Sequence, residues 1–142
     1  MEKGRRIMAI DLGTKKIGLA ISDESLTLAQ PLAVLKREGN KKDIPKIVNI
    51  VESHNIGTVV IGVPVSDKQS FMAKSAERFG SQLKEASHIT IEFIDETMTT
   101  AESYEILKMA GVNTRKGKQI VDKVAATKIL ESYLRLKGHS RK

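Results

Sequence analysis

Acidic residues far apart in this chain stand beside apolar residues, where a carboxylate is costly to bury. Asp11 closes the first apolar run of the sequence, and Asp122 falls on the apolar row of the last predicted helix. The pair Asp95-Glu96 closes a later apolar run. Burying a carboxylate costs on the order of several kcal/mol unless a cation lies beside it. We therefore expect these acids to converge on one partly buried site that binds a divalent metal.

The type of donor predicts the type of metal and the reaction. A site of carboxylates without His or Cys selects hard cations, so Mg²⁺ or Mn²⁺ is expected as the cofactor. Two such ions roughly 4 Å apart can activate a water and stabilise the leaving oxygen of a phosphodiester. The predicted reaction is metal-assisted hydrolysis of nucleic acid, with either one or two metal ions.

Each acid also has a simpler structural explanation. An Asp before a Gly, as at Asp11, is common in turns because its side chain caps the following backbone. Asp122 could interact with the positive N-terminal end of its helix. That benefit is available at any exposed first-turn position, so it does not explain why Asp122 shares a row with Ala126 and Ile129.

The sequence does not choose between Asp95 and Glu96. Adjacent strand residues face opposite sides of a sheet, so only one of the two can point into a shared site. Glu96 shares its side with Ile94, and Asp95 shares its side with Phe93, so both sides are apolar there.

The charge balance favours a polyanionic partner. The chain has 24 Lys and Arg against 17 Asp and Glu, a formal net charge of +7, which is typical of proteins that bind nucleic acid. The basic residues closest to the predicted acids are the candidate contacts to nucleic acid: Lys15, Lys16, Arg115, Lys116 and Lys118. The alternative explanation for each of them is a solvated, solubilising surface.

Composition limits the class of protein. At 142 residues with 40% hydrophobic residues, the chain is expected to form one globular domain, 1–142. It has no Cys, which excludes disulfides and thiolate metal sites. No signal peptide is recognisable, and the longest apolar stretch, 56–65, is interrupted by Gly and Pro. We expect a cytoplasmic protein with no membrane contact.

Hydrophobic periodicity predicts an α/β fold. The predicted strands are 6–12, 16–22, 32–36, 58–63 and 89–95; the predicted helices are 41–54, 71–86, 99–109 and 118–136. A polar loop is predicted at 64–70 and a flexible basic loop at 111–117. This order predicts a five-stranded mixed sheet with helices on both faces. Sites in such sheets gather at the carboxyl ends of parallel strands, where the predicted acids lie.

Four blocks of the sequence resemble the YqgF family, also called RuvX. They are 10–23 (IDLGTKKIGLAISD), 62–64 (GVP), 93–102 (FIDETMTTAE) and 121–134 (VDKVAATKILESYL). The resemblance implies an RNase H-like fold, and either a nuclease that matures the 5′ end of precursor 16S ribosomal RNA or a Holliday junction resolvase. It also implies that Asp11 is the first catalytic acid and Asp122 the acid of the last helix.

The middle acid departs from the pattern of the wider superfamily. Resolvases of this fold usually carry a Glu at the end of the strand beside the first one, but this chain has Gly62, Val63 and Pro64 there. The acid pair ends the following strand instead, about 5 Å further from Asp11. A longer side chain, Glu96, could reach back, or the site could hold one metal rather than two. The chain also has Thr97 where the family commonly has Arg.

Other functions fit the sequence less well. The motif DLGT at 11–14 also resembles the phosphate loop of sugar kinases and Hsp70-type ATPases, which need a second similar domain to close over the nucleotide. A non-catalytic nucleic-acid-binding module would keep the basic residues and lose an acid. A resolvase must cut two strands symmetrically and should be a two-fold homodimer. No helix shows an unmistakable apolar stripe for dimerisation, so the sequence favours structured RNA over a four-way DNA junction.

Overall fold

The computed structural model describes residues 6–63, 71–95 and 114–137, with side chains at all of these positions except 95 and 114–124. Its elements in chain order are β1 (Arg6–Leu12), β2 (Lys16–Ser22), β3 (Ala29–Lys36), α1 (Asn40–Ser53), β4 (Ile56–Val63), α2 (Phe71–Ser87), β5 (Thr90–Asp95) and α3 (Thr114–Leu136). The predicted loop at 64–70 and the predicted helix at 99–109 lie outside the described residues.

The strands form the predicted five-stranded mixed sheet, in the order β3-β2-β1-β4-β5. β2 pairs antiparallel with β1 and with β3, whereas β4 pairs parallel with β1 and with β5. β1 is therefore the central strand, and the carboxyl ends of β1, β4 and β5 lie at the same edge of the sheet. This is the edge at which open α/β sheets bind ligands.

Both faces of the sheet are covered by helices, as the sequence predicts. Met8 and Ile10 of β1 join a core cluster with residues of α1 and α2, including Phe79. Ile7 and Ala9 face the other way and join a second cluster with α3. Because side chains alternate along a strand, the face of each further β1 residue follows from these two clusters.

Two predicted boundaries, the starts of β3 and α3, are wrong by three residues or more, and tertiary structure explains both. β3 begins at Ala29, three residues before the predicted start at Leu32, with Pro31 inside it. β3 is an edge strand of the described sheet, where a Pro without an N–H is tolerated, and the register shifts where Pro31 pairs with Ala20. α3 begins at Thr114, so the predicted basic loop is helical from that residue.

The side chain of Phe71 differs from the other apolar side chains of α2 in its exposure. The sequence places Phe71 with Ala76, Phe79 and Leu83 as the apolar residues of one helix. The last three are buried, whereas Phe71 is 75% exposed at the first residue of α2.

No helix in the described part of the chain is both long and apolar enough to span a bilayer.

The turn between β2 and β3 is organised by Asp23. Its Oδ1 accepts hydrogen bonds from the backbone N–H groups of Thr27 (2.9 Å) and Leu28 (3.0 Å). Its Oδ2 accepts from the hydroxyls of Ser25 and Thr27. The hydrogen bond from Ser25 and then those from the backbone hold the pKa of Asp23 well below its usual range.

This lowered pKa predicts an acid-sensitive contribution to stability. We expect Asp23→Ala to lower the free energy of unfolding by about 1 kcal/mol at neutral pH, because the lost hydrogen bonds lie on a solvent-screened loop. The ionised carboxylate stabilises the folded state fully above its unfolded pKa of about 3.9, and the contribution is lost as the pH falls toward the folded value. Urea denaturation at about pH 7 and about pH 3 should show the wild type and the variant converging in acid.

The matched control is Glu24→Ala, at the neighbouring exposed position. It should leave the denaturation midpoint near that of the wild type at both pH values. A stability gap for Asp23→Ala that is the same at both pH values would contradict the role of the ionised carboxylate.

Candidate active site

Asp11 lies at the carboxyl end of the central strand, on the face covered by α3. It shares the side of β1 that carries Ile7 and Ala9, both of which pack against α3. Asp11 is half-buried, and its cross-strand partner in β2 is Gly18. Cross-strand partners normally place side chains about 5 Å apart on the same face, so the glycine leaves that neighbouring position without a side chain. The carboxylate thus stands at a partly open edge of the sheet.

The end of β4 carries no acid, as the sequence shows. Ile10 of β1 pairs with Ile61, after which β4 continues through Gly62 and Val63. Val63 pairs in turn with Asp95 of β5. The acid pair therefore ends a strand that is two positions from β1 in the sheet, about 10 Å away at the usual strand spacing.

The register of β5 separates the two neighbouring acids. Phe93 lies on the α2 side of the sheet, where its ring approaches Gly80 so closely that an added Cβ would stand 2.7 Å from it. Ile94 packs against the cluster on the α3 side. The alternation gives position 95 to the side of the sheet opposite Asp11. Glu96 itself lies outside the described residues.

The backbone of α3 carries position 122 on the row that faces the sheet. Ala126, Ile129 and Tyr133 are buried against the sheet through the cluster on the α3 side. Position 122 precedes Ala126 by four residues, so it is one turn earlier on the same row of the helix. The backbone position of residue 122 therefore continues the row formed by these residues, and the side chain of Asp122 lies outside those described.

The predicted basic contacts divide into two groups. Lys15 is exposed in the turn after β1, and Lys16 is the half-buried first residue of β2. The second group, Arg115, Lys116 and Lys118, belongs to the first turns of α3 rather than to a loop, and its side chains lie outside those described.

Sequence reasoning missed an arginine that holds the turn after Asp11. The Arg37 guanidinium donates hydrogen bonds to the backbone carbonyl of Gly13 (2.9 Å) and to Asp43 Oδ2 (2.9 Å). The backbone N–H of Arg37 donates to the carbonyl of Lys15 at 2.8 Å. Arg37 therefore ties the turn at 13–15 to the first turn of α1.

Asp43 is the buried partner of this interaction. It is 1% exposed, and it also accepts a hydrogen bond from the backbone N–H of Glu38 at 3.1 Å. The signal was present in the sequence, because Asp43 precedes Ile47 and Val51 on the apolar row of α1. The same signal, an acid on an apolar row, led to Asp122. Here it marks a structural ion pair, so the pattern alone does not separate the two roles.

Among the side chains that are described, no group of three acids or histidines lies close enough to hold a metal ion. Of the predicted acids, Asp95, Glu96 and Asp122 have side chains outside that set. The histidines within it stand elsewhere: His54 follows α1 and His88 follows α2. Both precede parallel strands, so they lie at the edge opposite Asp11.

The sequence of this chain is similar to a described family and to named relatives. A family model described as RuvX, Holliday junction resolvase, matches residues 5–136. A provisionally named pre-16S rRNA nuclease of Thermoanaerobacter pseudethanolicus is 40% identical over 132 residues, which cover 91% of this chain and 95% of the relative. The protein with the same name from Carboxydothermus hydrogenoformans is 37% identical over 135 residues, with 94% and 98% covered.

Solved structures share the fold at low sequence identity. The structure of T. thermophilus RuvC in complex with a Holliday junction substrate matches with a TM-score of 0.56 and 15% identity, covering 95% of this chain and 96% of that one. The Fowlpox virus resolvase in complex with junction DNA gives the same TM-score, 0.56, at 16% identity, covering 93% and 98%. These likenesses confirm the RNase H-like fold that the sequence resemblance implied.

Proposed function

This chain belongs to the RuvX family, and from that premise we propose that it is a nuclease that processes the 5′ end of precursor 16S ribosomal RNA. The observation that carries the proposal is the position of Asp11, at the carboxyl end of the central strand and on the face covered by α3. Relatives at 37–40% identity over nearly the whole chain bear the name of that activity. A role in ribosome synthesis also implies a cytoplasmic protein.

The donor set supports a hard divalent cation, Mg²⁺ or Mn²⁺. Asp11 offers carboxylate oxygens, the chain has no Cys, and the described histidines stand at the opposite edge of the sheet. The proposed ligands are Asp11, Glu96 and Asp122. Held by these residues, such a cation would make a water more acidic and would stabilise the charge that develops on the phosphate.

The chain's own residues hold the cation and position the substrate. The half-buried position of Asp11 limits solvent around its carboxylate, which strengthens its interaction with a cation. The register of β5 supports Glu96 rather than Asp95 as the acid that shares this face. Exposed Lys15, four residues after Asp11, is proposed to hold a phosphate beside the one that is cleaved.

The family description supports a second candidate, a Holliday junction resolvase. Such an enzyme would act as a two-fold homodimer, because it must make two symmetric cuts. The two candidates therefore differ in substrate and in oligomeric state.

Comparing the two substrates tests the proposal. We expect purified protein with Mg²⁺ or Mn²⁺ to cleave a fragment that contains the 5′ end of precursor 16S RNA, and EDTA to abolish the cleavage. A four-way DNA junction at the same concentration is the alternative substrate, and sedimentation of the protein reports its oligomeric state. Cleavage of the junction alone, by a dimer, would overturn the assignment to RNA, and cleavage that persists in EDTA would overturn the metal mechanism.

A further inference from the structure

A groove opens beside Asp11, on the other side of the turn that follows β1. Its volume is about 460 Å³, and it lies between Gly13 and Thr14 of the turn, Arg37, and the first residues of α2, Phe71 and Ser75. A volume of this size is within the range of small-ligand sites. Gly13 follows Asp11 by two residues, which is at most about 7 Å along the chain.

Phe71 presents an aromatic ring at the rim of this groove. The chain has only three Phe residues, and Phe79 of the same helix is fully buried. Phe71 is 75% exposed, so its ring contributes little to the core and is available to a ligand. Nucleic-acid bases of every type stack on exposed aromatic rings.

The surroundings of the groove are positively charged. Three exposed lysines adjoin its lining residues in the sequence, Lys15, Lys36 and Lys74, and the exposed Lys41 and Lys42 follow Gly39 by two and three residues. Among the described residues, two acids near these lysines in the sequence are already paired: Glu38 accepts a hydrogen bond from the Lys46 ammonium at 2.8 Å, and Asp43 is buried against Arg37. A ring with lysines on both sides of it matches a base and the phosphates that flank the base.

We propose that this groove binds a nucleotide of single-stranded RNA next to the cleaved bond, with its base stacked on Phe71. The inference rests on the proposed function, and it assigns Phe71 as a binding residue for the substrate. The groove holds the strand on the α2 side of the turn, while Asp11 stands on the α3 side. A single RNA strand that crosses the carboxyl edge of the sheet would contact both the groove and Asp11.

The absence of Trp from this chain allows a direct test of stacking. Phe71→Trp introduces one fluorophore at the rim of the groove. In EDTA, so that no cleavage occurs, octauridylate should quench this fluorescence, whereas an abasic oligonucleotide of equal length should not. The control is Leu28→Trp, because Leu28 is 68% exposed in the turn after β2, at the opposite edge of the sheet. Equal quenching of both variants, or equal quenching by the abasic strand, would overturn the proposal.

Affinity supplies an independent measurement. We expect Phe71→Ala to weaken octauridylate binding about 10-fold and Phe71→Tyr to bind like the wild type, because tyrosine keeps the ring. Wild-type affinity in Phe71→Ala would overturn the stacking role, and tighter binding of octathymidylate than of octauridylate would overturn the assignment to RNA.

The two proposals fail in different ways. If Asp11-dependent RNA cleavage occurs and Phe71→Ala binds RNA normally, only the groove assignment is wrong. If Phe71-dependent binding occurs and no RNA is cleaved, only the nuclease assignment is wrong.

Discussion

Replacing Asp11 with asparagine should reduce RNA cleavage by about 10³-fold or more. Asparagine has nearly the same shape, but it lacks the charge that would compensate a divalent cation. Single-turnover cleavage of the precursor fragment, with enzyme in excess over RNA, measures the chemical step without product release. Glu24→Gln provides the matched control, because it also removes one negative charge, at an exposed turn on the opposite edge of the sheet.

Thermal stability separates the loss of a metal ligand from misfolding. A cation that binds only the folded protein raises its melting temperature by mass action. We expect Mg²⁺ or Mn²⁺ to raise the melting temperature of the wild type and of Glu24→Gln, and to have a smaller effect on Asp11→Asn. Wild-type cleavage by a folded Asp11→Asn protein would remove Asp11 from the active site.

The second large effect is expected at Arg37. Arg37→Met leaves Asp43 as a buried carboxylate without its cation, and breaking a buried ion pair from one side typically costs about 3–5 kcal/mol. The variant also loses the hydrogen bond to the Gly13 carbonyl, so the turn after Asp11 loses its tie to α1. Urea denaturation should therefore show a much lower midpoint than for the wild type.

The chain contains a matched comparison for this variant. Lys46 and Glu38 also form an ion pair, at 2.8 Å, but both side chains are about half exposed. Lys46→Met should leave the midpoint nearly unchanged, because exposed pairs contribute little. The double variant Arg37→Met/Asp43→Leu should recover part of the lost stability, since it removes the unpaired charge. Equal midpoints for Arg37→Met and Lys46→Met would contradict the structural role of Arg37.

The strands and their order followed from local patterns. The apolar alternation of β2 and the β-branched run of β4 specify strands whichever neighbours they have. The connections from β3 through α1 to β4, and from β4 through α2 to β5, are parallel crossovers. Because such crossovers are right-handed, only a few strand orders are possible for the mixed sheet. The starts of β3 and α3 were wrong because they depend on tertiary context: Pro31 is acceptable only on an edge strand, and Gly117 is carried within a long helix.

The candidate site was predictable only in part, for a related reason. Asp11 is identifiable because the break in an apolar run coincides with the carboxyl end of a strand. Asp43 was missed because its partner, Arg37, is brought to it by the chain reversal between β3 and α1 rather than by periodicity. The exposure of Phe71 could not be predicted, because a helical row does not show how far the sheet extends beneath the first turn of the helix.

The cover that α3 gives to the Asp11 face has a consequence for the order of synthesis. β1 and β2 can pair soon after they leave the ribosome, since they form a local hairpin. Their α3-facing side stays uncovered until the ribosome has made the helix that begins at Thr114. Such long-range closure is slow compared with hairpin formation. A nascent chain would therefore expose Asp11 and the apolar face beside it until α3 folds against them, so the proposed active site would be completed only late in synthesis.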